Sequence, residues 1–501
     1  MTVTFIPRPE PQRPVFHRQP LTSETYLPEV LPPVLGSGDL IAQMIVNVFW
    51  ISNITPILAG GPVVFLYLVI CGVCFFIPCS VVMAQLAAIF PHEGGIYNWT
   101  FHCLGKNWAF FVSLCTWLPG VLSILNALIV LNSCAQTANP HWLTEPWQQG
   151  AAILFALTFV GIISTRPTRT VQTIMNGATI GMGVATVLIL AATLIWLLSG
   201  RPSATTEWVL PHSVAQINSG LFGNTTLALL GSNIPLALIG ETRNRQQATR
   251  SHLYWGTGLT LAGYFVWFFA LLTIQGAQAA ANQANPIVLL VATVTSVFGP
   301  FIGKLFLIDI GFYYLIIAIT LNLCYSRLLI AFAADGRLSG RFCKVNVYRV
   351  PTYALLFQVA MVVVFASVLY FIVPLFTGLG RSASDLNSIA YNVVGASLTL
   401  VWALSYMAPF VNVTLLYLQA RHAVMTQWFL SLPALLFCAI LGVLTLGISI
   451  VTTLLNSFIP TLIPNTNWMY IIGLAILVCL GFCLLLTMYG NSEARYEQMQ
   501  G

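Results

Sequence analysis

Gly231-Ser232-Asn233-Ile234-Pro235 interrupts an apolar run that closes at Gly240-Glu241-Thr242-Arg243-Asn244. A proline removes a backbone donor and clashes with the turn before it, so a helix breaks there. A second stretch of the same kind, Ser52-Asn53-Ile54-Thr55-Pro56, interrupts an apolar run near the start of the chain. In hydrocarbon, freed backbone groups are tolerated only where protein or a wet cavity satisfies them. Two interrupted membrane helices in corresponding halves of a chain point to a solute-binding site between them.

The surrounding composition places both breaks in a membrane. Of 501 residues, 58% are hydrophobic and 6% charged, with a mean hydropathy of +0.86, whereas soluble domains run near a quarter charged. The chain reads as one all-α polytopic membrane domain. Its net charge of +6 is spread over short loops, which argues against nucleic acid as a partner. Most of the eleven cysteines lie inside apolar segments. There Cys71 and Cys74 read as small packing residues rather than a redox or zinc motif, and no disulfide is indicated. The polar, proline-rich N-terminus to about Pro33 has no early apolar core, so no cleavable signal peptide is expected.

A spanning helix needs about 20 apolar residues. That length gives twelve spans: Leu40–Gly60, Val63–Phe90, Trp108–Cys134, Ala151–Ser164, Val171–Leu198, Leu221–Gly240, Leu253–Ile274, Phe301–Ala333, Tyr353–Phe376, Ile389–Leu418, Trp428–Leu455 and Trp468–Tyr489. With the N-terminus inside, all Lys and Arg except Arg201, Arg381 and Lys304 fall on or near the cytoplasmic side, as the positive-inside rule requires. The expected organisation is a cytoplasmic tail over 1–35, a transmembrane domain over 36–490 and a cytoplasmic tail over 491–501. The basic loop Ala333–Val350 reads as a topology anchor.

Both breaks lie eleven or twelve residues into their spans, roughly 17 Å deep at 1.5 Å per residue. Thr55 suits an N-cap with Pro56 at the first helical position, and Ser232 or Asn233 can cap a helix restarted at Pro235. A helix restarted at the midplane offers free N–H groups to a carboxylate. A helix half ending there offers carbonyls to an ammonium or a small cation. An amino-acid zwitterion needs both.

Ala59-Gly60-Gly61-Pro62 follows the first break, and Ala84-Gln85-Leu86-Ala87-Ala88-Ile89-Phe90-Pro91-His92-Glu93-Gly94-Gly95-Ile96-Tyr97 closes span two. Glu241-Thr242-Arg243-Asn244 closes span six, and Ser326-Arg327-Leu328-Leu329-Ile330-Ala331-Phe332-Ala333-Ala334-Asp335-Gly336 closes span eight. In order and spacing these resemble the amino acid–polyamine–organocation permeases. The resemblance implies a LeuT-like fold. Spans one to five (about 36–200) and six to ten (about 215–420) would form two inverted repeats, with peripheral helices over about 425–490. It implies a secondary transporter of the cell membrane, working by alternating access on an amino acid or related amine, with both termini cytoplasmic. The family's span-one motif falls on Phe49–Asn53 and its span-six motif on Gly231-Ser232-Asn233. Phe49, Trp50 and Ile51 replace the family's glycines, and Asn233 and Gln85 replace acids. The lysine that some proton-coupled relatives carry in span five is missing.

The candidate substrate-binding residues are therefore Trp50, Ser52, Asn53, Thr55, Gly231, Ser232 and Asn233. Asp39, Glu241, Asp309 and Arg327 are gate or coupling candidates, because intramembrane ionisable residues are functional by default. Asp39 could pair with Arg327 or Arg243, or simply favour a helix N-terminus. Glu241 has Arg243, Arg245 and Arg250 beside it. Asp309, five residues from Lys304, could carry a proton, bind a cationic substrate or bridge helices. Trp50, Trp117, Tyr391 and Tyr406 are candidate lids. His92-Glu93 lacks a second histidine at metal spacing, so no metal site is expected. Asn53-Ile54-Thr55 and Asn412-Val413-Thr414 lie in spans and are not glycosylation acceptors. No cofactor is expected, and the coupling ion, Na+ or H+, is left open. The neutral Asn233 and Gln85 favour a neutral amino acid over a polyamine or organic cation; an exchanger is equally compatible. A membrane enzyme would need converging catalytic groups, but the seven histidines are dispersed. A channel would need repeated polar stripes, and no nucleotide-binding loop is present.

Overall fold

A computed structural model describes residues 20–206, 208, 219–281, 285–377, 383–420, 430–459 and 462–500. Arg8, Arg13, Arg18, Arg381, Arg421, His17, His212 and His422 lie outside the described residues. The described chain is helical. Among the described residues, eleven helices are long and apolar enough to cross a membrane. Span six makes the twelfth crossing in two short pieces, Ser219–Ala228 and a 3₁₀ segment Pro235–Glu241. It falls short of a continuous helix for the reason its sequence announced, the break at Gly231–Pro235.

Span one is likewise divided, into Ser37–Val48, a 3₁₀ turn Ile51–Asn53 and a short helix Ile54–Leu58. The helix expected to begin at Phe301 is preceded by another: Pro286–Ala334 joins two helices across a kink at Gly299 (φ 84°).

Burial sorts the helices into a centre and a rim. The most apolar windows of Lys106–Ala138 and Pro286–Ala334 are 94% buried within the protein, whereas those of Thr352–Leu375 and Asn465–Gly490 are 22% buried. The rim helices present large apolar side chains such as Leu198, Leu375 and Leu477 outward, as a lipid-facing surface must. The broken spans are held against the central helices.

The N-terminal tail is structured before the first span. Thr22–Val30 forms a helix with Leu27 buried. Ser23 donates its N–H and hydroxyl to the Asp335 carboxylate (2.8 and 2.9 Å), and Glu24 meets His102 at 2.7 Å. This helix therefore covers the end of the bundle where spans one, six and eight have their charged residues.

Candidate substrate site and its sealed side

The two breaks meet. Gly231 adopts φ +125°, a backbone region that a side chain tolerates poorly. A Cβ there would fall 2.9 Å from the Asn47 carbonyl oxygen. Glycine thus serves both the bend and the close approach of span six to span one.

The freed backbone groups are not left for a ligand; tyrosine hydroxyls satisfy them. Tyr406 accepts from Gly231 N–H (2.8 Å) and Asn233 N–H (3.4 Å) and donates to Asn233 Oδ1. Tyr264 accepts from Trp50 N–H (3.2 Å) and donates to the Val48 carbonyl (2.9 Å). Tyr313 donates to the Ile45 and Phe49 carbonyls, each at 3.1 Å. Tyr314 accepts from Ser52 N–H and donates to Ser52 Oγ, both at 2.8 Å. Tyr391 joins Ser52 Oγ (2.8 Å) and donates to Asn53 Oδ1 (2.9 Å). An unsatisfied buried backbone group costs roughly 1–3 kcal/mol, so these hydroxyls are what allows the breaks to persist in apolar surroundings.

Beside the breaks is a cavity of about 90 Å³. Asn47, Trp50 and Asn53 of span one, Asn126 of span three, Asn224 of span six and Tyr391 of span ten line it, and it extends to Phe458 between the last two spans. Among the described residues, no charged side chain lines it. The side-chain oxygens of Asn47, Asn126 and Asn224 are buried without a hydrogen-bond partner, an arrangement that costs stability unless a ligand or water supplies donors.

The expected site residues divide. Trp50 and Asn53 face the cavity. Ser52 is fully buried and committed to Tyr314 and Tyr391. Thr55 donates to the Pro286 carbonyl (2.9 Å), tying the restarted helix to the segment before span eight. Gly231 and Ser232 form the bend, with Ser232 Oγ 3.4 Å from Cys79 Sγ. Asn233 points away, toward a void of about 10 Å³. Of the lid candidates, Tyr391 lines the cavity and Tyr406 braces the bend, but Trp117 stacks on Phe357 instead. Sequence reasoning missed Asn47, Asn126 and Asn224. Each is a carboxamide within an apolar run, and that was their available signal.

Toward the N-terminal end the site is closed by charge. Arg327 donates from Nε to Glu241 (2.6 Å), and both side chains are 0% exposed. Its other nitrogens reach Ser326 Oγ (3.1 Å) and Thr168 Oγ (3.2 Å). Asp39 pairs with neither Arg327 nor Arg243. It meets Arg169 at 2.7 Å and also accepts from Asn176 (2.7 Å) and the Gly36 N–H (2.8 Å). Arg327 is already engaged by Glu241, and Arg243 is exposed with its N–H bonded to the Leu35 carbonyl (3.0 Å). Leu35 N–H returns a bond to the Glu241 carbonyl (3.0 Å), which clasps the chain before span one to the end of span six. Asp309 lies elsewhere: its carboxylate packs on Gly181 of span five, and no ion pair joins it to Lys304 among the described residues. No cluster of potential metal ligands occurs among the described residues.

Two broken spans braced at mid-membrane, with a cavity on one side and a charged closure on the other, define a membrane transporter of the LeuT-like fold. A solved structure, MhsT in complex with L-phenylalanine, shares this fold with a TM-score of 0.59 at 12% identity, covering 83% of this chain and 98% of that one. Residues 34–483 match the Amino acid permease family, and the chain belongs to it. An uncharacterized transporter of Legionella pneumophila is 25% identical over 239 residues, which is 45% of this chain and 50% of that relative. The match thus spans half of that relative's length. The family and fold are those of transporters, not enzymes.

Proposed function

We propose that this chain is a secondary transporter that carries a small neutral amino acid, or a closely related amine, across the cell membrane by alternating access. The observation that carries this reading is the carboxamide-lined cavity at the meeting of two broken spans, with no charged residue among its described lining. The cavity of about 90 Å³ is well above the roughly 10–15 Å³ needed to admit one water, so it has room for a small solute. A polycation would need carboxylates, and the described lining residues include none.

The charged closure lies on the same side as the basic loops, which supports an inner, cytoplasmic position for it and for both termini. The cavity then faces outward. The carbonyls of Ile45, Val48 and Phe49, which a metal cation at this break would use, already accept from Tyr313 and Tyr264. This favours exchange, uniport or proton movement over sodium coupling. Uptake of a panel of labelled amino acids and amines into proteoliposomes, with and without sodium and proton gradients, tests the proposal. Saturable uptake or exchange of a neutral amino acid without sodium is expected. No saturable transport of any amino acid or amine overturns it.

A further inference from the structure

The sealed side contains more buried negative than positive charge. Glu93, in the loop that follows span two, is 3% exposed, and Glu241 and Arg327 are 0% exposed. Glu93 lies across the end of span six. It accepts the Glu241 N–H, and its carboxylate packs so closely on Gly240 that a Cβ there would overlap Glu93 Oε1. Its own carbonyl holds Asn98 Nδ2 (2.6 Å).

Arg327 engages Glu241 through one oxygen and spends its remaining nitrogens on hydroxyls. Glu93 Oε2 and Glu241 Oε2 are both buried without a hydrogen-bond partner. The charged groups around Glu93 are Glu241, Arg327 and Arg245. Arg245 is half-buried and directs Nη2 to the Gly240 carbonyl (3.4 Å). Arg327 neutralises Glu241, so an ionised Glu93 would be a surplus buried charge, and such charges neutralise rather than persist. Burial and the adjoining Glu241 carboxylate push Glu93 well above the ordinary carboxyl range, against the opposing pull of Arg327 and Arg245.

We infer that Glu93 is a proton-binding site built into the closure, occupied while spans one, six and eight are clamped together and vacated when they part. Clamping takes one proton from the solution on the closure side onto a Glu93 carboxylate oxygen. Opening hydrates Glu93 and returns that proton to the same side. No other bond is made or broken. The sign follows by linkage: protons bind the clamped state better, so acid on that side favours clamping and alkali favours opening. The link to transport rests on the proposed function, whereas the proton site itself does not.

Infrared difference spectroscopy of the purified full chain in lipid nanodiscs reads the site without any substrate. A protonated-carboxyl C=O band is expected at neutral pH, lost in Glu93→Gln and retained in Asp309→Asn. Absence of the band, or its loss in Asp309→Asn but not in Glu93→Gln, overturns the inference. In proteoliposomes, wild-type transport should slow as pH on the closure side falls through neutrality. Glu93→Gln, a permanent mimic of the protonated state, should be slow and flat with pH. A wild-type pH profile in Glu93→Gln overturns the link to gating. A band that is present in wild type and lost in Glu93→Gln, in a protein that transports nothing, leaves the proton site standing and removes the transporter reading.

Discussion

The cavity side and the closure side of the site use opposite chemistry. On the cavity side every polar group is neutral, and several oxygens wait unpaired. On the closure side, buried carboxylates are held in specific partnerships, Glu241 with the buried Arg327 and Asp39 with the exposed Arg169. A neutral amide costs little to expose and rebury as a ligand enters and leaves. A buried ion pair is all-or-none: intact it is tolerated, and broken it leaves an uncompensated charge. The first chemistry suits selection of a solute, and the second suits a clamp with two discrete positions.

The comparison breaks first at Arg327. Arg327→Met strands Glu241 beside Glu93 and should cost about 3–5 kcal/mol, the largest loss of thermal stability in detergent among these variants. Adding Glu241→Gln should recover much of it, because the stranded charge is then removed. If Arg327→Met unfolds no earlier than wild type, the closure is not held by this pair.

Asn126→Leu and Asn224→Leu test the other side and should separate binding from stability. Each removes an oxygen that accepts from no protein group among the described residues, so the unfolding temperature should hold or rise slightly. Each also removes a ligand contact worth about 1–3 kcal/mol, so apparent affinity for the transported solute should fall about five- to 150-fold. Unchanged transport in both would move the solute away from this cavity.

Tyr406→Phe falls between the two. It deprives the Gly231 and Asn233 N–H groups of their acceptor, at about 1–3 kcal/mol. The expected result is a moderate drop in unfolding temperature, smaller than for Arg327→Met. Stability equal to wild type would mean that water replaces the hydroxyl and that the bend is wetter than its burial indicates.

The two helix breaks were legible in the sequence; the groups that satisfy them were not. Gly231 and Pro235 announce a bend because backbone geometry is local, and span length follows from bilayer thickness alone. Which groups satisfy the bend depends on spans seven, eight and ten, more than twenty residues away in sequence. Tyr264, Tyr313 and Tyr314 therefore looked like any aromatic in an apolar run. The same limit explains Ser52, Thr55 and Asn233. They are polar residues at the right depth, but their hydrogen bonds run to Tyr314, Pro286 and Tyr406 rather than into the cavity. The sequence leaves Asp39 open between favouring the helix N-terminus and pairing with Arg327 or Arg243, and the structure has it accept the Gly36 N–H in the first turn of span one. Packing gave Arg327 to Glu241 and left Asp39 to Arg169.

That pairing gives the smallest effect. The Asp39 side chain is 7% exposed but Arg169 is 55% exposed, so water screens the bond from one side. Such pairs are worth about 0–1 kcal/mol. Asp39→Asn keeps an oxygen for the Gly36 N–H, which Asp39 holds in the first turn of span one, and loses only the charge. A fall in unfolding temperature near the limit of measurement is expected, narrowing further at high salt as screening weakens the wild-type pair. Exposure, rather than the presence of a carboxylate–guanidinium pair, then decides the energetic weight of each contact in the closure. A loss comparable to that of Arg327→Met would refute this ranking. It would mean that Asp39, Asn176, Gln172 and Gln43, linked by side-chain hydrogen bonds, transmit the charge into the buried half as one cooperative network.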